Sequence, residues 1–201
     1  MTRKERVVFF IALITCIVAG LFVTTNAYYA ATEEVPARGG SFTEGIVGQP
    51  TSISPLTASG SDADMAATEL LFPRLGDIIT SFAENSDRTV ISVTLKNKIS
   101  RDDAKPPTAD DIVFTVETIQ DLTVRSPQAG AWQGVIAEKI NDDEVRFTLR
   151  EPYAFFDASM RKLAIAPRHI FGAIPAANLR LSHYNLEPVG AGPWKLNRMT
   201  T

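Results

Sequence analysis

Val93-Thr94-Leu95-Lys96, followed after eight residues by Lys105-Pro106-Pro107-Thr108-Ala109-Asp110-Asp111-Ile112-Val113-Phe114-Thr115, joins two signals of different period. Upstream, Ile91, Val93 and Leu95 alternate with Val90, Ser92 and Thr94, the two-residue period of a half-buried strand. Downstream, Pro107 blocks an earlier helix start, Thr108 can cap backbone N–H groups, and Asp110 and Asp111 occupy the favourable first turn. Ile112, Val113, Val116, Ile119 and Leu122 then recur at helical spacing, which predicts a helix of about three to four turns. A strand and an amphipathic helix so close together place the chain among folds that mix sheet and helix.

Toward the C-terminus, residues 135–140 and 145–149 flank Asn141-Asp142-Asp143-Glu144 and predict a hairpin. Residues 153–163 predict a short helix with Phe155, Phe156, Met160 and Leu163 inward, and Pro167, Pro175, Pro188 and Pro193 divide the rest into short pieces. Toward the N-terminus, Ser61 and Asp64 form a Ser-x-x-Asp start, with Ala63, Ala66, Ala67, Leu70 and Leu71 as one apolar face. Before it, Phe42, Glu44, Ile46 and Gly48 alternate with Thr43, Gly45 and Val47 as a first strand, which Gly48-Gln49-Pro50 ends. Residues 32–40, with Pro36, Gly39 and Gly40, predict a tether.

Arg3, Lys4 and Arg6 precede residues 7–23, which contain neither charge nor proline. As a helix, residues 7–27 reach about 30 Å, the hydrocarbon thickness of a bilayer. The basic flank belongs in the cytoplasm, Tyr28 and Tyr29 at the far interface, and everything beyond them outside. The segment is a cleavable signal or an uncleaved anchor. Thr25-Asn26-Ala27 fits the small-residue cleavage rule only loosely, and the apolar run exceeds the usual core of a signal peptide, which favours the anchor. Cys16 lies in mid-run, badly placed for lipidation, and beyond it the chain has no cysteine, so packing alone must stabilise the exported part.

A net charge of −3 with no basic stripe argues against nucleic acid. The pairs Asp102/Asp103, Asp110/Asp111 and Asp142/Asp143 sit where turns and helix starts favour aspartate, so their expected roles are structural rather than catalytic. With only His169 and His183 and no zinc-ligand spacing, no metal site or cofactor is expected; Gly-x-Ser-x-Gly and phosphate-binding loops are absent. Gly190-Ala191-Gly192 implies no more than a turn. Trp132 and Trp194, large rings near glycines, are candidates for a ligand cleft, with burial in the core as the competing role.

The order of these segments resembles the family 5 extracellular solute-binding proteins, the peptide- and nickel-binding receptors of ABC importers. Gly45-Ile46-Val47-Gly48-Gln49-Pro50-Thr51-Ser52-Ile53-Ser54-Pro55 is similar to the family's opening stretch, and Glu69-Leu70-Leu71-Phe72-Pro73-Arg74-Leu75 to the helix end after it. The opening quotation is similar to its strand and "tAeDVvft" helix start, Val145-Arg146-Phe147-Thr148-Leu149-Arg150-Glu151-Pro152-Tyr153 to its "v.f.L..Py" strand, Ile165-Ala166-Pro167-Arg168-His169 to "i.Pkh", and Pro188-Val189-Gly190-Ala191-Gly192-Pro193-Trp194-Lys195-Leu196 to "pvGtGPyk". Residues 76–87 look shortened, Arg101-Asp102-Asp103-Ala104 replaces the family's glycine turn, and family members continue well past the position of Thr201.

The resemblance implies an α/β, type II periplasmic-binding-protein-like fold in truncated form, a partial first lobe plus the small extra α+β domain, preceded by the signal or transmembrane helix. Residues 1–31 are then signal or anchor, 32–40 tether, 41–75 the start of lobe I, 76–184 the extra domain and 185–201 a return to lobe I. It further implies a non-enzymatic receptor on the extracytoplasmic face, single-pass anchored, or periplasmic or secreted if the signal is cleaved. Its expected partners are a peptide or other small solute and the membrane permease of an ABC importer. In peptide-binding relatives the ligand backbone pairs with protein main chain. Ser59, Gly60, Ser61, Asp62 and Asp64, around the first helix start, are then cleft-facing candidates beside Trp132, with helix capping as the alternative. With half of the cleft missing from 201 residues, ligand capture by this chain alone is expected to be weak or absent. An exported hydrolase using paired carboxylates and a membrane-anchored protein-interaction module remain open at this point.

Overall fold

A 29-residue helix, α1 (Arg3–Ala31), opens the computed structural model, which describes residues 3–31, 43–58, 60–96 and 105–199. Within α1, Arg6–Ala30 contains an 18-residue stretch of mean hydropathy 2.8 and is long and apolar enough to cross a membrane, so it fits a signal or an anchor. Its polar side chains turn back on the helix. The Thr15 hydroxyl donates to the Ile11 carbonyl at 2.9 Å, Thr24 to Gly20 at 2.9 Å, Thr25 to Leu21 at 2.8 Å, and the Asn26 amide to Phe22 at 3.1 Å. Hydroxyls bonded in this way do not need water, which is the condition for placing them in lipid.

Gly45–Thr201 is the second compact unit of the chain. Its helices and strands follow as α2 (Asp62–Leu71), α3 (Leu75–Ile78), β1 (Ile79–Glu84), β2 (Val90–Leu95), α4 (Ala109–Gln120), α5 (Ala129–Trp132), β3 (Ile136–Asn141), β4 (Glu144–Thr148), α6 (Phe156–Lys162) and α7 (Arg168–Phe171), before two 3₁₀ turns, Ala176–Leu181 and His183–Asn185. The strands form one antiparallel sheet in the order β1-β2-β4-β3. Ile91, Val93 and Leu95 of β2 are buried as their alternation requires, and the register sets Ile91 opposite Phe147 and Val93 opposite Val145, so the central pair β2–β4 has one continuously apolar face. Helix α4, through Ile112, Val116 and Ile119, belongs to the same buried cluster, and it packs along β3 and β4.

Several expectations are corrected. Residues 43–48 belong to no strand among the described residues, bend at Val47 and Gly48, and leave Val47 98% exposed; alternation alone does not make a strand without a partner edge. Ser41 and Phe42 lie outside the described residues. Leu122 is 86% exposed because α4 ends at Gln120 and extended Asp121 breaks the helical phase. Phe155 is 68% exposed for a similar reason: it caps α6 from outside the helix, while Phe156, Met160 and Leu163 turn inward. In α2 the buried face is Ala63, Asp64, Thr68 and Leu71, and Leu70 faces out. Strand β1 has no clean alternation, and all but its first residue are exposed. It exists through pairing with β2 at the sheet edge.

Candidate functional site

The start of α2 is built around one carboxylate. Ser61 has extended backbone and caps the helix, its hydroxyl accepting from the Asp64 N–H at 3.1 Å. One turn in, the wholly buried Asp64 side chain points back to the loop before the helix. Its Oδ1 accepts from the backbone N–H groups of Thr51 at 2.6 Å and Ser52 at 3.0 Å, and its Oδ2 accepts from the Thr51 hydroxyl at 3.0 Å. A buried carboxylate is tolerated only when charge-assisted hydrogen bonds of this kind replace water. Ile53 is fixed next, its N–H donating to the Asn185 carbonyl at 2.8 Å.

Upstream of this clamp, residues 45–49 are exposed and Pro50 half-buried, the chain bends at Val47 and Gly48, and among the described residues nothing accepts from or donates to the backbone of 45–50. Gly48 takes a φ of +120° and lies over Ala63, where an added β-carbon would meet the Ala63 methyl at 3.7 Å. Gly60, with a φ of +81°, turns the chain into Ser61. Such left-handed backbone suits glycine, which has no Cβ to clash.

The six residues singled out from sequence therefore separate. Gly60, Ser61 and Asp62 are exposed together at the start of α2, while Asp64 is buried beneath the loop that it holds. Ser59 lies outside the described residues. Trp132 is elsewhere: it is 1% exposed, with its ring 5.9 Å from Phe147 and 5.4 Å from Phe156, in an aromatic cluster at the centre of the core. Trp194, by contrast, is 59% exposed. Its segment closes the other end of α2, where the N–H groups of Gly192 and Trp194 donate to the carbonyls of Leu71 and Leu70 at 2.9 and 3.1 Å. These are carbonyls that a helix end leaves without intrahelical partners. A β-carbon on Gly190 would fall on the Leu71 carbonyl, so Gly190-Ala191-Gly192 is a site of close backbone contact and more than a turn.

Among the described carboxylate pairs, Asp110, Asp111 and Asp142 join separate elements of the fold. Asp111, buried, accepts from Thr108 N–H at 2.8 Å and Arg168 N–H at 2.8 Å, tying the start of α4 to the start of α7. Asp110 pairs with Lys139 at 2.5 Å and Arg168 at 3.2 Å, and Lys139 also reaches Asp142 at 2.6 Å. Hydrogen bonds to Asp110, then Asp142, raise the Lys139 pKa, and the bond to Lys139 lowers that of Asp142. The bridge therefore weakens as pH falls through the Asp142 range or rises through the Lys139 range. Asp110, Asp111 and Arg168 border an open cavity of about 750 Å³ whose other walls include Lys105, His169 and Gly172. Asp102 and Asp103 lie outside the described residues. Among those described, no three His, Cys, Asp or Glu side chains converge as metal ligands.

The family described as bacterial extracellular solute-binding proteins, family 5 (middle), matches residues 75–201, more than half of the chain. The oligopeptide-binding protein AppA of Bacillus subtilis is 28% identical over 173 residues, which are 80% of this chain and 32% of AppA. Its solved structure in complex with a nonapeptide superposes with a TM-score of 0.71 at 27% identity, covering 77% of this chain and 33% of that one. The ABC transporter substrate-binding protein CtaP of Listeria monocytogenes gives a TM-score of 0.69 at 30% identity, covering 78% of this chain and 34% of CtaP. The chain thus has the type II fold of these proteins over its matched part, and it spans about a third of the length of the curated relatives it matches.

Proposed function

Because the chain belongs to the family 5 bacterial extracellular solute-binding proteins, we propose that it takes part in solute capture for an ABC importer, with peptides as the solute class. The observation that supports this most is the joint match in sequence and fold to AppA and CtaP, the first named for oligopeptide binding. Gly60, Ser61 and Asp62, exposed together at the start of α2, are the residues proposed to face the solute. Binding needs no covalent step, and release to a membrane permease follows from opening and closing around the ligand.

In living cells, deleting the gene is expected to lower uptake of a labelled mixture of short peptides, and restoring the full chain to return it. Peptide uptake that is unchanged by the deletion rejects the peptide reading.

Helix α1 is proposed to remain as a single-pass anchor with the folded unit on the extracytoplasmic side. Its support is the continuous helix through Thr25-Asn26-Ala27, the loosely fitting cleavage site, since a peptidase needs that segment unwound. Sequencing of the membrane-bound protein should find the original N-terminus. A mature chain beginning at Tyr28 would instead make α1 a removable signal.

A further inference from the structure

We propose that the outer face of the four-stranded sheet is an interface with a second copy of the chain in the same membrane, Arg146 of each copy meeting Glu138 of the other across a two-fold axis. The strand register builds this face. Ala83, Ser92, Arg146 and Glu138 stand in one row across β1, β2, β4 and β3, and Val90, Thr148 and Ile136 form the row beside it. The opposite face packs inward, where Ile91, Val93, Val145 and Phe147 join the core and Lys139 reaches Asp110 of α4.

Two observations point to a second copy. Arg146 and Glu138 are exposed cross-strand neighbours, yet among the described residues neither side chain makes an ion pair or hydrogen bond. Beside Glu138 on the same edge strand, Ile136 is 58% and Ile140 42% exposed, while the centre of the face carries the short side chains of Ser92 and Ala83. A two-fold axis parallel to the strands, between β4 and β3, exchanges the places of Arg146 and Glu138. Two copies laid face to face about it bring each guanidinium over the other's carboxylate, and Ile136 over the other's Thr148. Their strands stay aligned, as in sheets stacked about 10 Å apart. The face is thus complementary to itself, which a face of one charge sign would not be.

The size of the face sets the strength of the pair. Four strands about 4.8 Å apart, each five or six residues long at about 3.3 Å per residue, make roughly 300 Å² per copy, against about 800 Å² for a stable soluble interface. Copies free in solution therefore stay apart, and copies confined to one membrane by α1 associate because confinement raises their effective concentration. To that extent the inference rests on α1 remaining as an anchor.

The test uses intact chains, labelled at the N-terminus with donor or acceptor dyes and reconstituted in lipid vesicles, with energy transfer followed as surface density rises. Wild type is expected to show transfer above that of randomly placed chains. Arg146→Glu and Glu138→Arg each set like charges across the axis and should weaken association about tenfold or more, while the double variant, which exchanges the two charges, should return to within about threefold of wild type. Thermal unfolding should be unchanged, since both side chains are exposed. Should Arg146→Glu not fold, Glu138→Arg and Ile136→Lys carry the test, and both are expected to lower transfer. Association that ignores these substitutions runs through another surface, such as α1, and overturns the proposal, as does a double variant no better than the single ones. Intact wild-type chains that stay apart reject the pairing alone and leave the face to a different protein. A mature chain beginning at Tyr28 in cells rejects the anchor, and with it pairing in the membrane.

Discussion

Replacing Gly190 by alanine is expected to abolish or nearly abolish cooperative folding of Gly45–Thr201, with a loss of about 3 kcal/mol or more, at the upper end of overpacking penalties. The new methyl would occupy the position of the Leu71 carbonyl oxygen, which is backbone at the end of α2 and cannot swing aside as a side chain can. Relief requires the segment after Gly190 to retreat, and the bonds from Gly192 and Trp194 to Leu71 and Leu70 go with it. Two helix-end carbonyls then need water. For a unit of this size the loss corresponds to a fall in Tm of about 6–12 °C, if the variant folds at all. Gly130→Ala is the control, since a β-carbon there meets nothing within 4 Å. Thermal unfolding of the two variants side by side tests the packing, and a Gly190→Ala variant that melts with wild type would mean that the two segments do not approach so closely.

Trp132→Ala is expected to cost about 3–5 kcal/mol, the range for removing a large buried aromatic ring. The ring contacts Phe147 of β4 and Phe156 of α6 edge-on or tilted, so its removal opens a cavity between the sheet and the helix layer and forfeits aromatic pairing as well as burial. Chemical denaturation would measure the loss. In a Trp194→Phe background, the fluorescence of Trp132 should resist aqueous quenchers in the folded state and become accessible on unfolding. A loss below about 1 kcal/mol, well short of the cavity penalty, together with ready quenching in the native state, would return Trp132 to the surface and to candidacy for solute contact.

These two residues show where sequence reading stops. A tryptophan near glycines has the same local pattern whether it lines a cleft or fills a core. What decides is which strand and helix close over it, and Phe147 and Phe156 come from outside its own segment. Gly190 is similar: two glycines around an alanine read as a turn, because the oxygen that forbids a side chain belongs to a helix more than a hundred residues earlier. Phe155 and Leu122 were misplaced by extending a helical period past the helix ends, where the phase no longer holds.

Asp64 is the intermediate case. Its place in the first turn of α2 is legible from Ser61-x-x-Asp64, and the cap forms. That its carboxylate reaches back to Thr51 and Ser52 is not, because a carboxylate at that position can serve its own helix or a neighbouring loop, and only the path of the loop distinguishes them.

By itself, the sequence determined the features whose causes lie within a few residues: the apolar helix α1, the period-two strand β2, the capped helix α4, the β3–β4 hairpin, and the ordered motifs that mark family 5. Local propensity, capping and hydrophobic period act over one or two turns, so they can be read without knowing the fold. The tertiary structure decided which of the candidate residues are core and which are surface, why Gly190 cannot carry a side chain, and that residues 43–50 form no strand among the described residues. Each of these depends on atoms brought together from distant parts of the chain, and excluded volume and hydrogen-bond pairing between such atoms leave no periodic trace in the sequence.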